Sequence, residues 1–284
     1  MKNNLFSITR PVVGTAKNEA VARRFFAIDP KSGKRIKASF RCPIEYKDAF
    51  SGSHCLLPIS VGQLSHGVNS PHEGVKFKST IELINKAQFG KCTILVDDTI
   101  QLDTYKIIHE GKNFDELRQI VLGVGDEWIQ RHKEFYKKLT MPYEVKRWES
   151  VENDSDFTRA VEAVQARYLS DEFYRNAFDE NINEFLNRLK KRGIQFDQQY
   201  AFNQCWSYLT KENAGMGFVW PKWGADFEIY PSGRNASMSA TYKLFVNPSY
   251  PKLLQPVSLR FQKSNVMQIN ELEKNNLANI SLRC

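Results

Sequence analysis

Cys55-Leu56-Leu57-Pro58-Ile59-Ser60-Val61-Gly62-Gln63 is a short apolar run that stops among turn formers, and Cys92-Thr93-Ile94-Leu95-Val96-Asp97-Asp98 is a second. Such runs are the signature of strands covered on both faces, as in a parallel sheet. Between them, Val75, Ile81, Leu83, Ile84 and Ala87 recur at helical spacing, so the spacing predicts a helix over Val75–Phe89. Strand, helix, strand is a βαβ unit, whose crossover is nearly always right-handed. Ser60 then stands where the first strand ends, at the sheet edge where open α/β folds bind ligands. The fold class expected is α/β, a Rossmann-like parallel sheet flanked by helices.

The remaining pattern extends this unit. Helices are expected over Thr104–Ile108, Phe114–Leu139, Phe157–Leu169, Asp171–Arg192 and Gln198–Asn213. Strands are expected over Tyr143–Trp148, Phe227–Tyr230, Lys243–Val246 and Val257–Phe261, with short ones around Arg24–Ile28 and Ala38–Arg41. There is no internal repeat. Residues 1–45 read as a basic N-terminal extension, and 46–284 as a single Rossmann-like domain ending in strands and a polar tail.

Charge narrows the partners. The chain of 284 residues has a formal net charge of +8 and a pI near 9.1, which favours a polyanionic partner. Arg10–Arg41 alone holds nine Lys or Arg against Glu19 and Asp29, and a solvated basic arm explains that segment as well as a nucleic-acid role does. No apolar run approaches the ~20 residues of a membrane span, and Met1–Ser7 lacks the apolar core of a signal peptide. The five cysteines are scattered and odd in number, as expected of reduced thiols in a cytoplasmic protein. The histidines show no metal-ligand spacing, so no metal and no cofactor are expected.

Several chemistries are missing their motifs. No GxGxxG follows the first strand and no GxxxxGK[ST] occurs, which argues against dinucleotide and P-loop nucleotide binding. Ser60 lies in Pro-Ile-Ser-Val-Gly rather than GxSxG, so the hydrolase elbow is not matched. Neither HIGH nor KMSKS is present, which disfavours amino-acid activation with ATP. What remains is a serine at a strand end, a long basic helix, and a later helix carrying Tyr208 and Glu212. These two are four residues apart and share a helical face, where a carboxylate and a phenol suit an ammonium group. An ordinary amphipathic helix accounts for the same spacing, and a strand-end serine often bonds only its own loop.

The ordered set Ile59-Ser60-Val61-Gly62-Gln63, Ile94–Asp98, a basic long helix, Tyr208-Leu209-Thr210-Lys211-Glu212 and Tyr230-Pro231 resembles the tRNA-dependent cyclodipeptide synthases over residues 52–245. The resemblance implies a domain similar to the catalytic domain of class Ic aminoacyl-tRNA synthetases. Gln63 with Tyr230 and Pro231 resembles the XYP sub-type; Gln63 departs from the asparagine of the other sub-type. The implied activity is synthesis of a diketopiperazine from two aminoacyl-tRNAs by ping-pong chemistry. Ser60 takes the first aminoacyl group, Tyr208 and Glu212 hold its amine, and Tyr230 assists the closing step. Gly62 and Gln63 would border the nucleophile, with backbone N–H groups near Gly62 facing the developing oxyanion.

Leu56, Pro58, Ile94 and Glu228 are expected to line the amino-acid pocket, with Glu228 favouring a small or cationic side chain. Asn187 and Pro231 complete the substrate set. Arg131, Lys133, Lys137 and Lys138 on the long helix, with Lys146 and Arg147 after it, are the expected tRNA contacts. Arg188-Leu189-Lys190-Lys191-Arg192-Gly193 is explained by its place at a helix C-terminus, where cations suit the dipole and glycine the cap. The partners implied are two aminoacyl-tRNAs and no membrane, with the protein a cytoplasmic monomer. Two other readings stay open: a non-catalytic α/β RNA-binding protein, and a serine esterase or acyltransferase of unrelated type.

Overall fold

The computed structural model describes residues 34–62, 70–109, 111–231 and 233–264. The strand expected at Arg24–Ile28, the residue Gln63 and the C-terminal tail lie outside them, as does most of the basic extension. In chain order the elements are β1 (Arg35–Arg41), β2 (His54–Ser60), α1 (Gly74–Ala87), β3 (Lys91–Asp97), α2 (Leu102–Ile108) and α3 (Phe114–Tyr136). There follow β4 (Tyr143–Arg147), α4 (Phe157–Ser170), α5 (Glu172–Lys191), α6 (Gln198–Ala214), β5 (Phe227–Tyr230), α7 (Ala236–Thr241) and β6 (Gln255–Ser264).

The six strands form one sheet in the order β1-β6-β5-β2-β3-β4. β2 pairs in parallel with β3 and β5, β3 with β4, and β5 with β6, while β1 runs antiparallel to β6. The sheet is therefore mixed rather than wholly parallel. A parallel neighbour needs a crossover element. The chain leaves β1 through one 3-10 turn, Ile44–Ala49, with no helix to carry it back, so β1 enters the edge in the opposite sense. The basic segment is accordingly not all extension: residues 35–41 belong to the sheet.

Side-chain alternation along β2 sorts the core into two layers. Cys55, Leu57 and Ile59 face one way, where Ile94 and Val96 of β3 meet Phe77, Ile81 and Ile84 of α1 and Trp128 of α3. Leu56 and Leu95 face the other way, onto Trp148, just after β4, and onto Val164, Phe178, Ile182 and Leu209 of the helical layer α4–α6. Both layers are close to fully buried, which is why β2 and β3 read as unbroken apolar runs.

α3 approaches the sheet through a notch. A Cβ on Gly125 would lie 2.5 Å from Asp98 Oδ2 and 2.8 Å from Arg147 Nη2. The glycine lets the helix close over an internal ion pair in which Arg147 Nε donates to Asp98 at 2.5 Å.

One expected strand is a helix. Lys243–Val246 falls within a π-type turn, Tyr242–Val246, that continues α7. A four-residue apolar run cannot be told from a buried helical segment by periodicity. The deciding signal lies upstream, in Asn235, whose side chain accepts the Met238 N–H at 2.8 Å and starts the helix. Among the described residues no helix is long and apolar enough to cross a membrane.

Candidate active site

Three strand ends and one helix build the site. Ser60 closes β2 and stands in register with Asp97, which closes β3. Tyr230 closes β5, the neighbour of β2 on its other side. α6 crosses above this edge, anchored in the core by Ala201, Cys205 and Leu209, and so presents Tyr208 and Glu212 to the strand ends. Its own position is held from α2: buried Asp103 accepts Ser207 Oγ at 2.8 Å and Lys211 Nζ at 2.7 Å.

Tyr208 donates its phenol hydrogen to Glu212 Oε1 at 3.0 Å, and Gln101 Nε2 reaches Tyr208 Oη at 3.5 Å. Thr104 Oγ1 donates to the Gln101 main-chain carbonyl at 2.9 Å and lies 3.2 Å from the side-chain Oε1. Ser60, Gly62, Gln101, Tyr208, Glu212 and Tyr230 border one cavity of about 450 Å³. Ile108, Ile182, Phe185 and Leu209 make its apolar wall. Glu184 and Arg188, both more than half exposed, stand on its rim. The volume is in the range of small-molecule sites, and an apolar wall with a few convergent polar groups is their usual make-up.

The polar end is electrostatically strained. Burial pushes the Asp97 carboxyl well above the usual carboxylate range, and Glu212, Asp98 and Glu228 push it further. Burial takes Glu212 up to about 7; the Tyr208 hydrogen bond works against the rise and Glu228 with it. The phenols of Tyr208 and Tyr230 are raised by burial and then by the negative charge of Glu212. Titratable groups displaced in this way, inside a cavity, are a mark of functional sites.

Ser60, Gly62, Tyr208, Glu212 and Tyr230 are thus brought together as expected. Other residues are not. Leu56 is in the apolar layer beneath Ser60, and Pro58 is buried in the strand; neither borders the cavity. Ile94 is in register with Leu57 and faces the opposite core layer, so it cannot reach the pocket. Asn187 is exposed on α5; the asparagine that borders the cavity is Asn181, almost two turns earlier, whose Oδ1 also accepts the Ser237 N–H at 2.8 Å.

Glu228 is buried, but its charge is met by Arg234 at 2.5 Å, and the same guanidinium also donates to the Leu254 carbonyl. Glu228 borders a separate space of about 140 Å³ that shares Tyr230, Gly233 and Arg234 with the larger one. An internally neutralised carboxylate does not select a cationic side chain. Pro231 is buried in the turn after β5 and borders neither space.

The basic residues divide. Arg131 pairs with Glu73 at 3.1 Å, Lys137 with Glu134 at 3.3 Å, and Lys146 with Glu144 at 3.5 Å. Lys133 is half-buried and Lys138 exposed at the end of α3. Gly125 marks where α3 passes the carboxyl edge of the sheet, so Lys137 lies roughly 18 Å further along the helix axis. Arg147 is committed inside the fold, donating to Asp98 at 2.5 Å, Asp126 at 2.6 Å and the Leu122 carbonyl at 2.9 Å. Arg188, explained in sequence by its helix end, stands at the mouth of the cavity.

Sequence reasoning missed Gln101, Thr104, Asn181, Arg234 and Asn235 among the residues bordering the cavity, and the buried Asp97 in register with Ser60. Asp97 had a legible signal, since it ends the second apolar run at the level where Ser60 ends the first. The others come from turns and helix faces that carry no local mark.

The chain is similar to a cyclodipeptide synthase from Fluoribacter dumoffii, with 42% identity, a TM-score of 0.76, and 81% of this chain and 100% of that chain covered. It is also similar to a cyclodipeptide synthase from Candidatus Glomeribacter gigasporarum that was solved bound to Phe-tRNAPhe. There the identity is 17%, the TM-score 0.59, and the coverage 74% of this chain and 87% of that one. A Mycobacterium tuberculosis structure, described as showing that these synthetases are related to type I tRNA synthetases, matches at 13% identity and a TM-score of 0.51, over 85% of this chain and 98% of that chain. No protein-family model matches the chain, and no curated protein does.

Proposed function

The chain belongs to the cyclodipeptide synthases, and from that premise we propose that it joins two aminoacyl-tRNAs into a diketopiperazine through Ser60. Tyr230-Pro231 with Gln63 supports placing it in the XYP sub-type. The observation that carries the mechanism is one cavity bordered by Ser60, the Tyr208–Glu212 pair and Tyr230.

The Ser60 hydroxyl attacks the ester carbonyl of the first aminoacyl-tRNA. The tRNA 3′ oxygen leaves with the proton, and an aminoacyl ester remains on the serine. Glu212 and Tyr208 hold the α-amine of that ester. The amine of a second aminoacyl-tRNA attacks the seryl ester, forming the peptide bond and freeing Ser60. Transfer of the resulting dipeptidyl group back to Ser60 releases the second tRNA. Attack by the dipeptide's terminal amine then closes the ring, with Tyr230 placed to pass the proton. Each step exchanges one ester for another or for an amide, so covalent catalysis divides a hard condensation into accessible ones. Backbone N–H groups near Gly62 are the oxyanion donors in this scheme.

Cations on α3 and Arg188 on the cavity rim meet the tRNA phosphates, and the enzyme works as a cytoplasmic monomer. The apolar wall of Ile108, Ile182 and Phe185 favours an aliphatic or aromatic side chain in at least one of the two amino acids. The test is expression followed by mass spectrometry of the medium for diketopiperazines, wild type beside Ser60→Ala. A product present in wild type and absent in the variant is expected. Diketopiperazine formation that survives Ser60→Ala removes the covalent scheme.

A further inference from the structure

Four carboxyl groups crowd the carboxyl edge of the sheet: Asp97, Asp98, Glu212 and Glu228. Two of them have a cation. Asp98 takes Arg147 and Glu228 takes Arg234, each at 2.5 Å. The nearby Lys211 is spent on Asp103 at 2.7 Å. Asp97 and Glu212 are bonded to no cation among the described residues. The polar neighbours of Glu212 are neutral: its Oε1 accepts from the Tyr208 phenol, and the Asn235 side chain stands close by. Glu212 Oε2 and Asp97 Oδ1 accept no hydrogen bond. Asp97 is 7% exposed and Glu212 9%, so both orphan oxygens are deep in the protein.

An unpartnered buried carboxylate oxygen is costly, and two of them repelling one another are more so. The arrangement calls for a compact cation with several donors. A resident metal is not indicated, since no group of three or more His, Cys, Asp or Glu side chains among the described residues could hold one. The place of the seat relative to the nucleophile identifies the cation. Asp97 and Ser60 are register partners on adjacent parallel strands, so their side chains leave the same face of the sheet about 4.8 Å apart.

We infer that Asp97 is a second substrate-binding carboxylate, which with Glu212 forms a two-sided seat for the α-ammonium group of the amino acid carried on Ser60. The inference rests on the synthase reading above and extends it. An ammonium has three donors, enough to reach Asp97 Oδ1, Glu212 Oε2 and the Tyr208 oxygen together. An N-acylated amino acid offers one neutral N–H in the same place and leaves two buried oxygens unmatched. The seat is therefore a filter for a free amine, applied before a peptide bond can form. A bound ammonium also lets both carboxyls ionise, where burial and their mutual repulsion otherwise favour the protonated forms.

The experiment compares Ser60 acylation by an aminoacyl-tRNA and by its N-acetylated form, in wild type and in Asp97→Asn. Wild type should prefer the free amine strongly. In Asp97→Asn the preference should fall roughly 10- to 100-fold, the range for losing a hydrogen bond to a charged group. The rate with the N-acetylated substrate should fall far less than the rate with the free amine. Asp97→Asn should melt at or above the wild-type temperature, because it replaces a buried carboxyl whose ionised form burial and Glu212 both disfavour. An unchanged preference overturns the inference, and so does an Asp97→Asn protein that fails to fold, since Asp97 would then be a structural acceptor. A wild-type protein that takes no acyl group from any aminoacyl-tRNA overturns the synthase reading instead.

Discussion

Gly62 stands so close to Gln101 that a Cβ on the glycine would lie 2.6 Å from the amide oxygen and 3.1 Å from the amide carbon. The amide is bordered by the Thr104 hydroxyl at its oxygen and by Tyr208 at its nitrogen, so a shift of the side chain disturbs both contacts. Gly62, two positions after Ser60, therefore bounds the amide that faces the phenol on α6. Gly62→Ala should displace Gln101 and with it Tyr208. The stability cost should be that of modest overpacking, about 1–3 kcal/mol. The rate of Ser60 acylation should fall at least tenfold, roughly 1.4 kcal/mol of lost transition-state stabilisation. Single-turnover acylation beside a thermal melt separates the two effects. Full activity in the alanine variant would show that the amide has no part in arranging the site.

Glu212 makes stability depend on pH in a definable window. Its carboxyl rises from an ordinary 4.5 to about 7 in the folded protein, chiefly through burial. Between these values the folded state holds a proton that the unfolded chain releases. Stability is therefore full below about 4.5 and declines as pH rises through 7, by roughly 3 kcal/mol for a shift of this size. Glu212→Gln should remove that decline: similar melting temperatures at pH 5, and a more stable variant at pH 8. The same variant should make no diketopiperazine. Parallel wild-type and variant melting curves from pH 5 to 8 would contradict the assignment.

Arg147 is expected to matter for folding before it matters for RNA. Removing it leaves Asp98 buried without its cation, a loss of about 3–5 kcal/mol in comparable cases. Arg147→Met should be strongly destabilised, and adding Asp98→Asn should recover much of the loss. Denaturant unfolding of the two single variants and the double variant measures the coupling. Weakened tRNA binding at unchanged stability would place the guanidinium on the RNA instead.

Lys137 and Lys138 offer the opposite expectation. Both are exposed at the end of α3, distant from the cavity. Reversing them to glutamate should leave the melting temperature within the small range of surface changes. Binding of aminoacyl-tRNA should weaken, and the salt dependence of log K should flatten by about 0.7–0.9 for each phosphate no longer neutralised. Acylation by a small aminoacyl ester should be untouched. Equal losses with both substrates would remove the RNA assignment.

Much of this architecture can be read along the chain because it rests on local rules. The runs Cys55–Ser60 and Cys92–Asp97 are apolar because both faces of the strands are covered, and the serine and the helix pair Tyr208–Glu212 follow from periodicity. What cannot be read depends on distant partners. Nothing near Glu228 announces that Arg234 neutralises it, or that Arg147 turns inward to Asp98. Ile94 reads as a pocket residue, but its facing is decided by its register with Leu57, and a shift of one residue along a strand reverses which layer a side chain joins. β1 enters the sheet from a segment whose charge marks it as an appendage. Asp97 is the instructive miss: an acid ending a buried strand is costly wherever it sits, and its cost is the sign.

Ser60, Asp97 and Tyr230 are terminal residues of three neighbouring strands, so their mutual spacing is held by main-chain ladders rather than by loops. The apolar wall opposite them comes from helices, most of them supplied by the long stretch between β4 and β5. Evolution can thus revise the choice of building blocks on one set of elements while the acyl-transfer apparatus stays fixed on another. A lineage of this architecture is free to diversify its products by drift in helical side chains alone, with no need to reinvent its chemistry each time.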